Sequence, residues 1–223
     1  MKIRAVDVTR SYHVGPSEIT AVNGVNLEID ESKFAAIVGP SGSGKSTLLS
    51  LVGLNDYPSS GKIFVDDIDV SRLSGGQRRK LRNRRMGFVF QTFNLFPTLT
   101  ALENVELPMA LANKPQKLQE QQALRLLETV GLKHRSNHRP RQLSLGEMQR
   151  VAIARALANE PEMIIADEPT GELDSKTARE IIALLSEINI TKRTTVVVAT
   201  HDDKIIDVAD LIYTMQDGRL NKT

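Results

Sequence analysis

An α/β fold with a mostly parallel core sheet, a small antiparallel β part and an inserted helical lobe is what this 223-residue sequence predicts. Three observations carry it. Short apolar runs bounded by turn residues alternate with stretches whose apolar residues recur at helical spacing. One run, Phe34-Ala35-Ala36-Ile37-Val38, leads straight into Gly39-Pro40-Ser41-Gly42-Ser43-Gly44-Lys45-Ser46-Thr47 and then into a helical pattern through Leu48, Leu51 and Val52. From residue 92 to residue 158 the strand-like runs stop and helical spacing takes over.

Taken in order, Ile3 to Thr9 alternates like a half-buried strand and Val25 to Ile29 like its partner, the two forming the antiparallel part. Phe34 to Val38 reads as a fully buried strand, and a short strand follows at Ile63-Phe64-Val65. A basic segment, Arg78-Arg79-Lys80-Leu81-Arg82-Asn83-Arg84-Arg85, precedes a strand over Met86 to Phe90 that stops at Gln91. Ala123, Leu126, Leu127 and Val130 share a helix face, as do Met148, Val151, Ala154 and Ala158, with turn signals at Pro97, Pro115 and Pro140. The sheet resumes with strands at Met163 to Ala166 and Thr195 to Ala199 around a helix through Ala178, Ile181, Ile182, Leu185 and Ile188. Leu211 to Met215 and Arg219-Leu220 close it. The expected organisation is one domain over 1–223, in which 1–91 and 159–223 form the core and 92–158 the helical subdomain. Right-handed crossovers then place any ligand at the carboxyl ends of the parallel strands.

Composition narrows the class. A quarter of the residues are charged and 40% hydrophobic, as in ordinary globular proteins. With no cysteine there is neither a disulfide framework nor a thiolate metal site. No uncharged apolar run approaches the ~18 residues that a membrane span needs, and Met1 to Asp7 holds no apolar signal core, so the expected location is cytoplasmic. A net charge of +2 says nothing about nucleic acid.

The glycine turn is a phosphate cradle. G-x-x-x-x-G-K-[ST] between a strand and a helix lets successive backbone N–H groups point inward while the helix start adds its positive end. That is the centre of a P-loop NTPase core: Lys45 reaches the β- and γ-phosphates of ATP, and the Ser46 hydroxyl can ligate Mg²⁺. A chance glycine-rich turn is the alternative, and the flanking strand and helix argue against it. Met163-Ile164-Ile165-Ala166-Asp167-Glu168 is an apolar strand ending in two acids, which a parallel sheet delivers beside the cradle. Asp167 then holds Mg²⁺ and Glu168 sits where a base can orient the attacking water. Val196-Val197-Val198-Ala199-Thr200-His201 ends another buried strand in a histidine on the same edge, placed to contact the γ-phosphate. His13, His134 and His138 carry no such positional argument and are expected at the surface.

On these residues the chain resembles, over nearly its whole length, the nucleotide-binding subunit of an ATP-binding cassette (ABC) transporter. The resemblance implies that Gln91 is the Q-loop glutamine, touching Mg²⁺ and water, that Glu172-Leu173-Asp174 is the D-loop, that His201 is the switch histidine, and that Tyr12 stacks on adenine. It also implies a signature loop that opens a helix shortly before the two acids. Leu143-Ser144-Leu145-Gly146-Glu147 lies there, and its serine, backbone and helix start are implied to reach the γ-phosphate of the partner subunit. Leu145 stands where the family has glycine and Glu147 where glutamine is usual. Leucine is expected to weaken ATP-driven closure by removing backbone freedom and adding a side chain near the nucleotide.

Leu73-Ser74-Gly75-Gly76-Gln77 spells the family signature letter for letter, yet it lies between the cradle and Gln91 and is followed only by the basic segment. It is therefore read as a capping box that starts a helix, with Ser74 and Gln77 in the same roles as Ser144 and Glu147. The basic segment is read as a solvated helix face.

The resemblance further implies a homodimer or pseudo-symmetric dimer around two ATP–Mg²⁺, coupled to separate transmembrane permease subunits, with membrane contact only through the permease and no nucleic acid. The apolar stretch Thr92-Phe93-Asn94-Leu95-Phe96-Pro97-Thr98-Leu99 either packs the helical lobe or offers a groove to a coupling helix of the permease. Leu102-Glu103-Asn104-Val105-Glu106-Leu107-Pro108 resembles the branch that serves lipoprotein release and macrolide or peptide export. Two rivals remain at this point: a non-transporting regulator similar to the cell-division ABC complex, and a soluble ABC ATPase acting on DNA or ribosomes. Co-purification of a multi-span protein, of nucleic acid, or of neither separates them.

Overall fold

The structure is a computed structural model that describes residues 1–222, except for the side chains of Val14 and Asp203. Among the described residues the strands form two sheets. The first is antiparallel: β1 (Ile3–Val14) pairs with β2 (Ser17–Ile29) and with a third strand that follows the cradle helix. Both leading strands run beyond the expected Thr9 and Val25, because the hairpin continues through exposed residues that lack the alternation seen nearer the core.

β3 (Phe34–Val38) enters the second sheet, and the cradle leads from it into α1 (Lys45–Val52). β4 (Ser60–Val65) returns to the first sheet and is extended by the two-residue β5 (Ile68–Asp69). α2 (Gly75–Arg85) then feeds β6 (Met86–Phe90). Three helices follow: α3 (Ala101–Leu111), α4 (Gln116–Thr129) and α5 (Leu145–Ala156). The chain closes with β7 (Met163–Asp167), α6 (Ser175–Lys192), β8 (Thr195–Thr200), α7 (Asp203–Ile206), β9 (Leu211–Gln216) and β10 (Arg219–Lys222). Strand order in the second sheet is β10-β9-β3-β8-β7-β6, parallel except for β10.

Two apolar layers sandwich that sheet. Ala35, Ile37, Val197 and Ala199 face α1 and the antiparallel sheet. Phe34, Ala36, Val196 and Val198 face a layer that includes α6 and also α3, α4 and α5, so the helical segment shares one continuous core with the sheet. Near-continuous apolar runs in β3, β7 and β8 follow from burial on both faces.

The basic segment is not simply a solvated face. Arg78 is only 2% exposed: its Nη2 donates to the Asp56 carbonyl (2.7 Å) and its guanidinium stacks 4.0 Å from the Tyr57 ring centroid. Arg82 donates to the Leu54 carbonyl (2.9 Å), and Arg85 pairs with Asp66 and Glu162. A charge run in sequence cannot reveal which stems lie across the chain that follows α1. His138 also differs from expectation, being half-buried against Arg135, whereas His13 and His134 are exposed.

Candidate functional site

Strand register builds the site. Val38 pairs with Thr200, Ala199 with Asp167, and Asp167 with Phe90. Each strand's next residue therefore emerges on one edge, which brings Gly39, His201, Glu168 and Gln91 together within about 15 Å, three interstrand spacings. Lys45, in the first turn of α1, reaches back to that edge.

The cradle is shaped by close approach. A Cβ on Gly44 would lie 2.1 Å from the Ala21 carbonyl oxygen of β2, and one on Gly39 2.1 Å from the Met215 carbonyl oxygen of β9, so both positions exclude any side chain. Gly44 also adopts φ 105°, in the glycine-favouring region, as it caps α1. The first-turn amides of α1 have no intrahelical acceptors and face the loop opening. Lys45 is 7% exposed; its Nζ donates to the carbonyls of Gly39 (2.8 Å) and Pro40 (3.1 Å) and lies 3.8 Å from Glu168 Oε1. Ser43 Oγ is buried with no hydrogen-bond partner. The remaining cradle positions, Pro40, Ser41, Gly42, Ser46 and Thr47, follow the same loop and helix start.

Asp167 ends β7 with its carboxyl largely buried. Burial raises its pKa, while the Ser46 side chain and the Lys45 charge act the other way. Its Oδ1 is buried without any partner. An orphaned carboxylate oxygen beside a serine hydroxyl is a donor set that suits a hard divalent cation such as Mg²⁺. Glu168 follows at φ 46°, a left-handed conformation that costs a non-glycine residue and concentrates at functional sites. That turn aims Oε2 at His201, 2.9 Å from Nδ1, while Oε1 faces Lys45. His201 is itself 67% exposed, at the mouth of the site. Gln91 lies at the end of β6 and donates from Nε2 to Glu172 Oε1 (3.1 Å).

A second group gathers elsewhere. Ser144 caps α5 and closes a capping box with Glu147, whose carboxylate pKa is lowered first by the Ser144 N–H and further by Arg135. Asp174 caps α6, accepting from the amides of Lys176 and Thr177 and from the Thr177 hydroxyl. A Cβ on Gly146 would come 2.5 Å from Thr177 Cγ2, so α5 and α6 meet at a position where an added side chain must displace Thr177. Together these residues line an open cleft of about 400 Å³, from which Leu145 projects 48% exposed. Tyr12 belongs to neither group: it extends from β1, its hydroxyl donates to Asp56 (2.8 Å), and the Arg10 guanidinium stacks 4.5 Å from its ring centroid.

Three residues with structural influence on the site are silent in the sequence reading. Gln149, fully buried in α5, donates to the Pro169 carbonyl just after Glu168 (2.7 Å). Arg155, near the end of α5, donates to the carbonyls of Phe93 and Asn94 just after Gln91. Asn104, fully buried in α3, bonds the backbone of Phe96, Leu99 and Thr100. One signal was available for α3 itself, since Thr100 and Glu103 form a capping box at its start.

Comparison with known proteins places these observations in a family. Residues 22–171 match the family described as ABC transporter. An uncharacterised ABC transporter ATP-binding protein of Thermotoga maritima is 50% identical over 96% of this chain and 92% of its own length. The lipoprotein-releasing system ATP-binding protein LolD of Legionella pneumophila is 47% identical over 95% of this chain and 93% of its own. Among solved structures, the dimeric post-hydrolysis state of the ATP-binding cassette MJ0796 bound to ADP and Pi superposes with a TM-score of 0.91 at 44% identity, covering 99% of this chain and 98% of that one.

Proposed function

This chain belongs to the ABC transporter family and is an ABC-type ATPase; from that premise we propose that it is the subunit whose ATP hydrolysis drives a separate membrane permease, in export or mechanical transmission. The observation that carries the reading is the convergence of Lys45, Asp167, Glu168 and His201 on one sheet edge, with an unpartnered carboxylate oxygen at its centre.

In this reading Lys45 exchanges the Gly39 and Pro40 carbonyls for the β- and γ-phosphates, and the α1 amides neutralise the leaving phosphate. Ser46, Asp167 and Gln91 would hold Mg²⁺, which would supply charge neutralisation to the phosphates. Glu168, held by His201 and its own backbone turn, orients the attacking water, and His201 contacts the γ-phosphate. Tyr12 offers a ring face to adenine, with Asp56 fixing its hydroxyl. Phosphoryl transfer leaves the protein chiefly positioning and electrostatic work, which matches a site of fixed donors and a single constrained carboxylate.

Ser144, Gly146, Glu147 and Asp174 line a cleft that Lys45 does not line, and we assign them to the nucleotide of a second copy of the chain. The dimeric state of MJ0796 supports that assignment. The permease is a separate polypeptide in this proposal; among the described residues no helix is long and apolar enough to cross a membrane. Its docking site is a cleft of about 870 Å³ between α2 and the end of α3, floored by Phe88 and Phe90 and rimmed by Arg79, Lys80 and the exposed Leu111. The likeness to LolD supports the lipoprotein-release and export branch.

Affinity purification of the tagged chain from a detergent-solubilised membrane fraction tests the proposal. The expected result is a multi-span protein in stoichiometric amount that raises the ATPase rate. Purification with nucleic acid or ribosomes instead would overturn it.

A further inference from the structure

α5 touches three parts of the site along one rigid rod. At its start Gly146 abuts Thr177, in the middle Gln149 holds Pro169, and at its end Arg155 holds Phe93 and Asn94. From Ser144 to Arg155 the rod spans about 16 Å at 1.5 Å per residue.

The Arg155 end is unusual in three respects. First, its guanidinium spends both terminal nitrogens on backbone carbonyls, Nη2 on Phe93 at 2.7 Å and Nη1 on Asn94, in a planar fork that lysine cannot reproduce. Second, the two residues it holds are consecutive and both left-handed, Phe93 at φ 60° and Asn94 at φ 48°; such conformations persist only where the surroundings impose them. Third, no carboxylate pairs with Arg155 among the described residues, and burial lowers its pKa to about 10. A half-buried cation balanced only by two carbonyl dipoles carries a desolvation cost.

What it holds is the turn that carries Gln91. Phe93 N–H bonds the Phe90 carbonyl (3.1 Å), so the residues from Phe90 to Asn94 fold as one unit around Gln91, with Phe93 buried beneath. Arg155 also lines the cleft between α2 and α3, next to Phe90 and Asn94. One side chain thus joins the signature helix, the backbone after Gln91 and the floor of that cleft.

We propose that Arg155 is a positioning residue that clamps the Gln91 turn to the signature helix, so that the placement of Gln91 at the nucleotide and the state of the cleft depend on one guanidinium fork. The proposal rests on the assignment of Gln91 to the nucleotide site only for its catalytic consequence; the clamp itself is a claim about the turn.

Two readouts on the full chain separate these. Hydrogen exchange reads the clamp directly: in Arg155→Lys the amides of residues 91–95 should exchange about tenfold faster or more, while the strands of the parallel sheet keep their protection. Unchanged exchange at 91–95, or a rise spread over the whole sheet, overturns the clamp. Arg155→Gln, which keeps an amide donor without the charge, gives the same readout should the lysine variant fold poorly. A double-mutant cycle with Gln91→Ala then reads the catalytic consequence. In Arg155→Lys, kcat for ATP should fall about fivefold with KM within twofold, and the double variant should be no slower than Gln91→Ala alone. Additive losses would overturn the link through Gln91, and a normal kcat in Gln91→Ala alone would overturn the assignment of Gln91 while leaving the exchange result to decide the clamp.

Discussion

Two pentapeptides in this chain start helices in the same way and stand in different surroundings. Ser74 caps α2 at φ −63°, ψ 158° and closes a capping box with Gln77; Ser144 caps α5 at φ −68°, ψ 165° and closes one with Glu147. Locally they are near copies. Around them they are not: Gly75 and Gly76 face open space, whereas Gly146 is pressed against Thr177 of α6. α2 turns its first arginine inward to Asp56 and Tyr57, whereas α5 braces Pro169 and the Phe93–Asn94 backbone. Matching capping signals therefore specify a helix start, and only the neighbours distinguish the two helices.

The largest effect expected on this contrast comes from Glu168→Gln. Turnover should fall by about 10²-fold or more, the loss expected from the water-orienting role proposed for Glu168. ATP should still bind and hold the dimer closed, and amide exchange in that trapped state should slow at 144–147 while staying unchanged at 74–77. Protection at 74–77 instead would exchange the roles of the two pentapeptides.

Paired glycine substitutions come next. Gly146→Ala places a methyl group 2.5 Å from Thr177 Cγ2 and should lower ATPase activity about tenfold, the cost of displacing a site element by a fraction of an ångström to an ångström. Gly76→Ala meets nothing and gains helix propensity, so its thermal midpoint should rise by about 2–4 °C with the ATPase rate unchanged. Equal effects from the two would erase the contrast.

Leu145→Gly should raise the ATPase rate or tighten the ATP-bound dimer by about threefold, because an exposed side chain at the mouth of the cleft is removed and backbone freedom is restored. An unchanged rate and dimer constant would assign the leucine no role in closure. The smallest effect belongs to Ser74→Ala, which should cost about 1 kcal/mol of stability through the lost cap and leave kcat per folded molecule alone. Thermal unfolding and single-concentration turnover suffice to check it.

What could be read from sequence tracks the range of the physics involved. β3 and β6 agree with expectation to the residue, because burial on both faces writes itself as an apolar run between turn residues. The meeting of Lys45 with Asp167 and Glu168 was legible from the cradle spacing and from parallel register. α3 was not, since its apolar face is interrupted and Pro108 lies inside it, although its capping box was available. Arg78, Gln149 and Arg155 were invisible as structural residues: each is a polar side chain bonded to a backbone carbonyl remote in sequence, and no local pattern encodes such a partner. The left-handed turn at Glu168 likewise arises from the strand edge it closes and not from its own residue type.

Whether the helix at Ser144 completes a nucleotide site, and in which subunit, is decided most directly by mixing two defective chains before ATP is added. Glu168→Gln and Ser144→Arg should each be nearly inactive alone. If Ser144 acts on the partner's nucleotide, half the dimers in an equal mixture are mixed and each holds one site with both groups intact, so about a quarter of the unmodified activity should return. A mixture as inactive as its components would contradict the arrangement.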